Sequence, residues 1–163
     1  MIRQNFFFLL SVAGLVVFLD QLTKYWVHTF MAYGSTIPLI PGFFDLTHVH
    51  NPGGAFGFLA SQSEWIRKAV FLFASGLATL MILFFYYKTP PAFGWLRTGL
   101  ALIFGGAVGN MADRIRFGYV IDFLDVYWKG WHWPAFNVAD SAICVGMAIF
   151  VWHVIFRKLP EGF

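Results

Sequence analysis

Four long apolar stretches alternate with more polar segments along this chain of 163 residues. Each stretch contains 18 or more residues, and a helix that crosses a bilayer needs about 20. The pattern therefore predicts an all-α polytopic membrane protein with four transmembrane helices. These predicted spans cover approximately residues 6–27, 69–87, 95–112 and 134–156.

The two longest connections between the predicted spans cover approximately residues 28–68 and 113–133. The first contains helix-breaking prolines, and its segment 43–50 is rich in the β-branched and aromatic residues that favour a strand. Residues 51–54, Asn-Pro-Gly-Gly, favour a tight turn after that strand. We predict a small folded cap in the first connection, whereas the second is a loop too polar to span.

Composition agrees with a membrane location. Hydrophobic residues make up 59% of the chain and charged residues only 12%, against about 25% charged in soluble domains. At this length the spans form one bundle, so we expect a single membrane domain over residues 1–163. The net charge is only +3, and no run of Lys or Arg exceeds two residues, so we expect no nucleic-acid partner.

The N-terminal stretch has a second interpretation, as a cleaved signal peptide with Arg3 as its basic start. Asp20 and Lys24 argue against it, because they follow the apolar core where a signal peptide carries no charges. Charge counting leaves the orientation open. With both termini cytoplasmic, five Lys or Arg residues lie inside and six lie outside.

Small and polar residues share faces on the last two predicted spans. The third carries a Gly-x-x-x-Gly pattern that favours close helix packing, and its polar face contains Gly106, Gly109, Asn110 and Asp113. The fourth has one face that we expect to look into the bundle, formed by Asn137, Asp140, Ser141, Cys144 and Ala148. Cys144 is the sole cysteine, so the chain forms no internal disulfide.

The acidic residues in these apolar surroundings suggest chemistry. Asp20 and Lys24 are four residues apart, which predicts an ion pair on the helix surface near the membrane interface. Asp122 has no basic residue within four positions, and burial without a cation raises the pKa of a carboxyl. If Asp122 lies near Asp140, the two share one proton, and such a pair can activate a water for attack on a peptide carbonyl.

Other kinds of site have weaker support. His48-x-His50 could bind a metal, but no His-Glu-x-x-His helix or cysteine pair accompanies it, so we predict no metal. No Gly-x-Ser-x-Gly motif indicates a serine nucleophile. A small proton-coupled transporter remains the main alternative, although the two halves show no internal repeat. A membrane assembly factor without enzymatic activity is a further alternative.

Five motifs occur in order along the chain and together resemble the bacterial lipoprotein signal peptidases, also called signal peptidase II or prolipoprotein signal peptidase. They are Asp20-Gln21-x-x-Lys24, His50-Asn51-Pro52-Gly53-Gly54-Ala55-Phe56, Gly109-Asn110-x-x-Asp113-Arg114, Val120-Ile121-Asp122-Phe123 and Phe136-Asn137-Val138-Ala139-Asp140-Ser141. The last three together are highly specific.

The resemblance implies four membrane helices in the bacterial inner membrane, with both termini cytoplasmic and a β-rich cradle at the outer, periplasmic face. It implies an aspartic endopeptidase that removes the signal peptide of a diacylglyceryl-modified prolipoprotein just before the lipidated cysteine. By motif, the catalytic residues are Asp122 and Asp140. Substrate-binding or site-shaping positions are Asn51, Asn110, Asp113, Arg114, Asn137, Asp20 and Lys24. We expect a monomer that contacts membrane lipids and needs no cofactor.

Overall fold

The computed structural model describes residues 2–53 and 61–157. Its helices are α1 (Ile2–Phe30), α2 (Glu64–Lys88), α3 (Gly94–Phe117) and α4 (Val138–Phe156). Its strands are β1 (Thr36–Ile40), β2 (Phe44–Asn51), β3 (Val120–Trp128) and β4 (Trp131–His132). The strands form one antiparallel sheet in the order β1-β2-β3-β4.

Three helices within the described residues are long and apolar enough to cross a membrane: Phe6–Phe30, Glu64–Lys88 and Val138–Phe156. Their outer surfaces expose large apolar side chains, such as Phe73 and Leu80 on α2, as a lipid-facing helix does. A multi-pass membrane protein is therefore confirmed. The third predicted span, residues 95–112, corresponds to α3, which is less apolar because its last turns carry Asn110, Asp113 and two arginines.

Helix α3 occupies the centre of the bundle and contacts the other three helices. Glycines permit the close approach that the sequence predicts. A Cβ at Gly105 would lie 2.9 Å from Val16 Cβ on α1, and one at Gly106 would overlap the Ala139 carbonyl oxygen on α4. These contacts leave no room for a side chain at either position.

The prediction of which face of α4 points into the bundle is correct only at the N-terminal end of the helix. Cys144 and Ala148 are exposed, whereas Ala139 and Gly146 are buried against α3. The small residues decide which side of α4 packs, because they allow its backbone to approach the glycines of α3. The polar face continues only as far as Ser141, whose hydroxyl donates to the Asn137 carbonyl.

Residues 113–133, predicted as a loop between two spans, contain the end of α3 and the strands β3 and β4. Helix α3 continues to Phe117, Gly118 ends it in the left-handed conformation (φ 81°), and β3 begins two residues later. The first four residues of β3 are all buried. Because both faces of this segment are covered, the alternation of polar and apolar residues that marks a half-exposed strand is missing.

The strand predicted over residues 43–50 is confirmed as β2, and it carries a register shift between Leu46 and Val49. Thr47 and His48, which lie within this shift, are consecutive and both buried. A bulge adds a residue to one strand and redirects its side chains. Beyond the bulge, Asn51 pairs with Val120 at the start of β3.

Candidate active site

The first turn of α4 fixes Asp140. The Asn137 side-chain oxygen accepts from the Asp140 amide at 2.9 Å, while the Asp140 carboxylate accepts from the Asn137 amide at 3.3 Å. This reciprocal capping box satisfies two backbone donors at the helix start. It also explains why α4 begins at Val138 and not at residue 134 as predicted.

Asp122 lies in the buried part of β3, with 2% of its surface exposed. Its Oδ1 accepts from Asn137 Nδ2 at 2.7 Å, and its Oδ2 accepts from Asn51 Nδ2 at 3.0 Å. One donor therefore comes from the residue that caps α4, and the other from the end of β2. The two carboxylate oxygens are held by separate elements.

Asn110 on α3 connects the second carboxylate to the same set of contacts. Its Nδ2 donates to Asp140 Oδ1 at 2.7 Å, and its Oδ1 accepts from Asn137 Nδ2 at 3.2 Å. Since Asn137 also donates to Asp122, two asparagine amides join the carboxylates of Asp122 and Asp140. We call these two residues the aspartate pair.

The electrostatics of Asp122 depend on burial and on its partner. Burial first, and then the negative charge of Asp140, raise the pKa of Asp122 to about 7. Hydrogen bonds from Asn51 and Asn137 and the charge of Lys24 oppose this rise. A carboxyl with a pKa near neutral exchanges its proton readily at physiological pH, as acid–base chemistry requires.

A buried ion cluster supports the aspartate pair. Lys24 Nζ lies 2.9 Å from Asp20 Oδ2 and 2.9 Å from Asp113 Oδ2, with exposed fractions of 2%, 0% and 1% for these three side chains. The predicted pairing of Asp20 with Lys24 is confirmed, but its predicted place on the helix surface is wrong. Asp113 joins the pair and makes full burial possible.

Each acid of this cluster also holds the backbone beside one member of the aspartate pair. Asp20 Oδ1 accepts from the Ala139 amide at 2.9 Å, one residue before Asp140. Asp113 Oδ2 accepts from the Ile121 amide at 3.2 Å, one residue before Asp122. The ion cluster thus ties α1 and α3 to both segments that carry the aspartate pair.

Arg114 lies nearby without bonding to either carboxylate of the aspartate pair in the described residues. Its Nη1 donates to the Asn110 carbonyl at 3.5 Å, and its guanidinium lies 5.1 Å from the centre of the Phe71 ring. The charges of Asp140 and Asp122 act on it. Arg114 therefore adds positive potential beside the pair.

Three histidines form the group within the described residues that could hold a metal: His28, His48 and His50. Only His48 and His50 are close together in the sequence, and nothing in the sequence predicts that the end of α1 meets β2. Burial, together with repulsion from the other two rings, lowers the pKa of His50.

Comparisons with known proteins identify the family. The sequence profile described as Signal peptidase (SPase) II matches residues 12–156. This chain belongs to the signal peptidase II family. The lipoprotein signal peptidase of Desulforapulum autotrophicum is 55% identical over 150 residues, which cover 92% of this chain and 93% of that protein. The lipoprotein signal peptidase of Syntrophotalea carbinolica is 46% identical over 145 residues, 89% of each chain.

A solved structure agrees with this assignment. It is described as a bacterial membrane enzyme determined by the in meso method, and it matches with a TM-score of 0.81 and 29% identity over 92% of this chain and 94% of that chain. Membership in the signal peptidase II family confirms the resemblance that the motifs indicate, and it makes this protein a membrane peptidase of lipoprotein processing.

The structure brings the predicted site residues into one connected network, apart from Arg114, which adjoins it. Sequence reasoning missed Gln21, although it belongs to the first motif. Its Nε2 donates to Asp113 Oδ1 at 2.9 Å and to Asp20 Oδ2 at 3.1 Å. In the turn predicted after β2, the side-chain oxygen of Asn51 accepts from the Gly53 amide at 3.1 Å. The rest of that motif, Gly54 to Phe56, lies outside the described residues.

Proposed function

We propose that this protein is an intramembrane aspartic endopeptidase that cleaves diacylglyceryl-modified prolipoproteins just before the lipidated cysteine. The observation that carries the proposal is the aspartate pair. Asp122 and Asp140 are joined through the amides of Asn137 and Asn110, and burial and the neighbouring charge raise the pKa of Asp122 to about 7.

In the proposed reaction the aspartate pair carries one proton and works on a water. The charged carboxylate removes a proton from the water as its oxygen bonds to the peptide carbonyl carbon. The protonated carboxyl donates a hydrogen bond to the developing oxyanion. The carbon–nitrogen bond then breaks, and the proton taken from the water passes to the leaving amine. The acid and base roles belong to the coupled pair, because the two carboxyls titrate together.

The other predicted site residues position the pair. Asn51, Asn110 and Asn137 fix the carboxylate oxygens through hydrogen bonds. Asp20, Lys24 and Asp113 fix the backbone on which the pair stands. Preorganised contacts of this kind lower the cost of reaching the transition state, because little rearrangement accompanies the reaction. Arg114 is suited to contact the substrate. Its guanidinium lies beside the site and donates to the Asn110 carbonyl, not to a carboxylate of the aspartate pair.

Chain connectivity supports four membrane crossings in one domain over residues 1–163. Helices α1, α2 and α4 have the length and composition of spans. If α2 leads away from the sheet, the chain must return before β3 can pair with β2. Helix α3 makes that return and is long enough for it, at 24 residues. Four crossings place both termini on the side opposite the sheet.

We place the sheet and the aspartate pair at the outer face of the bacterial inner membrane, with both termini cytoplasmic. The pair then lies near the interface, where water enters from outside. The substrate's diacylglyceryl chains lie in lipid beside the bundle, and its apolar signal helix lies among the spans. Binding of these remote parts can orient the scissile bond. The protein works as a monomer in this account.

The test is cleavage of a diacylglyceryl-modified prolipoprotein by the purified protein in detergent, with mass spectrometry of the product. The expected mature product begins at the lipidated cysteine. The same prolipoprotein without diacylglyceryl should be cleaved far more slowly. Asp125→Asn is a matched control for changes in the pair, because Asp125 lies on the same strand and pairs with His132. A product cut elsewhere, or equal cleavage of both substrates, contradicts the proposal.

A further inference from the structure

The histidine cluster (His28, His48 and His50) lies where the end of α1 meets the sheet. One ring nitrogen from each histidine lies within 4.8 Å of the others. The proposed peptidase chemistry uses none of these side chains. A group of three imidazoles at this spacing is a common ligand set for a transition metal.

The fold fixes the relative positions of the two elements that carry the cluster. Val27, next to His28, packs against Ile121 and Phe123 of β3, and β3 pairs with β2. His48 and His50 are two residues apart on β2, so they project to the same side of the strand. The bulge before Val49 contributes to this placement, since it directs His48 inward.

The geometry of His48 and His50 suits a metal. His48 Nδ1 lies 2.9 Å from the Met31 carbonyl oxygen, to which it can only donate. This leaves the lone pair of Nε2 for another partner, an arrangement that metal-binding histidines usually show. His50 Nε2 lies 3.2 Å from His48 Nε2. In a tetrahedral zinc site, with zinc–nitrogen distances of about 2.0–2.1 Å, two ligand nitrogens are about 3.3–3.4 Å apart.

Aromatic neighbours hold the rings in place. The His50 ring stacks on the Tyr119 ring, with 3.9 Å between ring centres. The centre of the Tyr33 ring lies 4.4 Å from the centre of the same His50 ring. His28 is exposed at the last turn of α1, so its ring can rotate to reach the shared position. The site is therefore rigid on the sheet side and adjustable on the helix side.

We propose that His28, His48 and His50 bind a divalent transition metal, with zinc as the expected ion, and leave a fourth position for water. Without metal, His50 Nε2–H donates to His48 Nε2. With metal, the His50 proton moves to Nδ1, so that all three ligand nitrogens are unprotonated and neutral. Nitrogen ligands alone disfavour magnesium and calcium, which require oxygen. The site is distinct from the aspartate pair, although His50 precedes Asn51 on β2.

The test is zinc binding to the full-length protein, purified in detergent with an affinity tag that contains no histidine. Titration calorimetry with zinc chloride should show one ion per chain. Cobalt added in place of zinc should give the intense visible absorption of tetrahedral coordination. His28→Ala and His50→Ala should each weaken zinc binding by at least about tenfold.

His132→Ala is the matched control, because His132 is an exposed histidine on β4 that pairs with Asp125 and lies outside the cluster. It should bind zinc as the wild type does. Circular dichroism of the metal-free variants should match the wild type, and His28 is exposed, so its replacement should not disturb folding. Absence of zinc binding in the wild type overturns the proposal. Equal losses in all three variants, or in none, also overturn it, since they indicate nonspecific surface binding.

Discussion

The contact that Lys24 makes with the side-chain oxygen of Asn110 fixes the orientation of the Asn110 amide. Lys24 Nζ donates to Asn110 Oδ1 at 2.9 Å, and an ammonium group can only donate. The amide nitrogen of Asn110 must therefore face the other way, toward Asp140 Oδ1. A lysine in the buried ion cluster thus determines which group meets a member of the aspartate pair, without contacting that carboxylate.

Asn51 provides a prediction about pH. Its hydrogen bond favours the charged form of Asp122 and so opposes burial and the charge of Asp140, which raise the pKa of that carboxyl to a net value of about 7. The wild-type cleavage rate should be bell-shaped in pH, with the alkaline limb marking loss of the proton that the pair shares. In Asn51→Ala the pKa of Asp122 rises, so the alkaline limb moves to higher pH.

The maximal rate of Asn51→Ala should fall about tenfold, because one hydrogen bond to a charged group contributes about 1.5 kcal/mol. Initial rates across pH, measured with saturating prolipoprotein, check both effects. Asp125→Asn serves as the control and should leave the limb in place. A limb that stays fixed in Asn51→Ala, or moves to lower pH, contradicts the role of this hydrogen bond.

At the scale of elements, the buried ion cluster joins α1, α3, β3 and α4. Lys24→Met removes its cation and leaves Asp20 and Asp113 as two buried carboxylates without a positive partner. Breaking a buried pair in this way costs roughly 3–5 kcal/mol, so the thermal denaturation midpoint in detergent should fall by on the order of 10 °C.

Lys88→Met is the matched control for Lys24→Met, because Lys88 is exposed at the last turn of α2 and has no carboxylate partner among the described residues. Its midpoint should stay close to that of the wild type. Equal midpoints for the two variants would show that the cluster does not stabilise the fold.

Glycine packing gives a second prediction at this scale. Gly106→Ala places a methyl group against the Ala139 carbonyl, so α3 and α4 must separate. Such overpacking costs about 1–3 kcal/mol, and it displaces Asp140 from Asn110, so cleavage should fall with stability. Gly76→Ala is the control, because a Cβ there meets nothing within 4 Å. Cleavage and midpoint together measure the effect, and a Gly106→Ala protein equal to Gly76→Ala contradicts it.

Particular residues show how far the sequence predicts this architecture. The four helices follow from long apolar stretches, and β2 follows from its β-branched and aromatic residues. Strand β3 is missed because its first four residues are buried and show no alternation. The burial of Lys24 is missed because it depends on Asp113, which is 89 positions away and comes near only after α1 and α3 pack. His28 joins β2 for the same reason.

At the scale of the whole molecule, the orientation in the membrane can be measured with cysteines. Cys144 is the sole cysteine, so a Cys144→Ser background allows single labels. Leu39→Cys lies on the exposed edge strand β1, and Ala92→Cys lies in the exposed turn between α2 and α3. In intact cells a membrane-impermeant maleimide should label position 39 and spare position 92. Labelling of both or the reverse pattern contradicts the proposed orientation.

The proposed reaction requires the aspartate pair to act as one unit. Single-turnover cleavage of diacylglyceryl-modified prolipoprotein by Asp122→Asn, Asp140→Asn and the double variant tests it most directly, with Asp125→Asn as the control and thermal midpoints to establish folding. Each single change should reduce the rate by at least about 10³-fold, and the double change should add little, as in other catalytic units. Near-normal rates in either folded single variant, or losses that multiply in the double variant, would contradict the account.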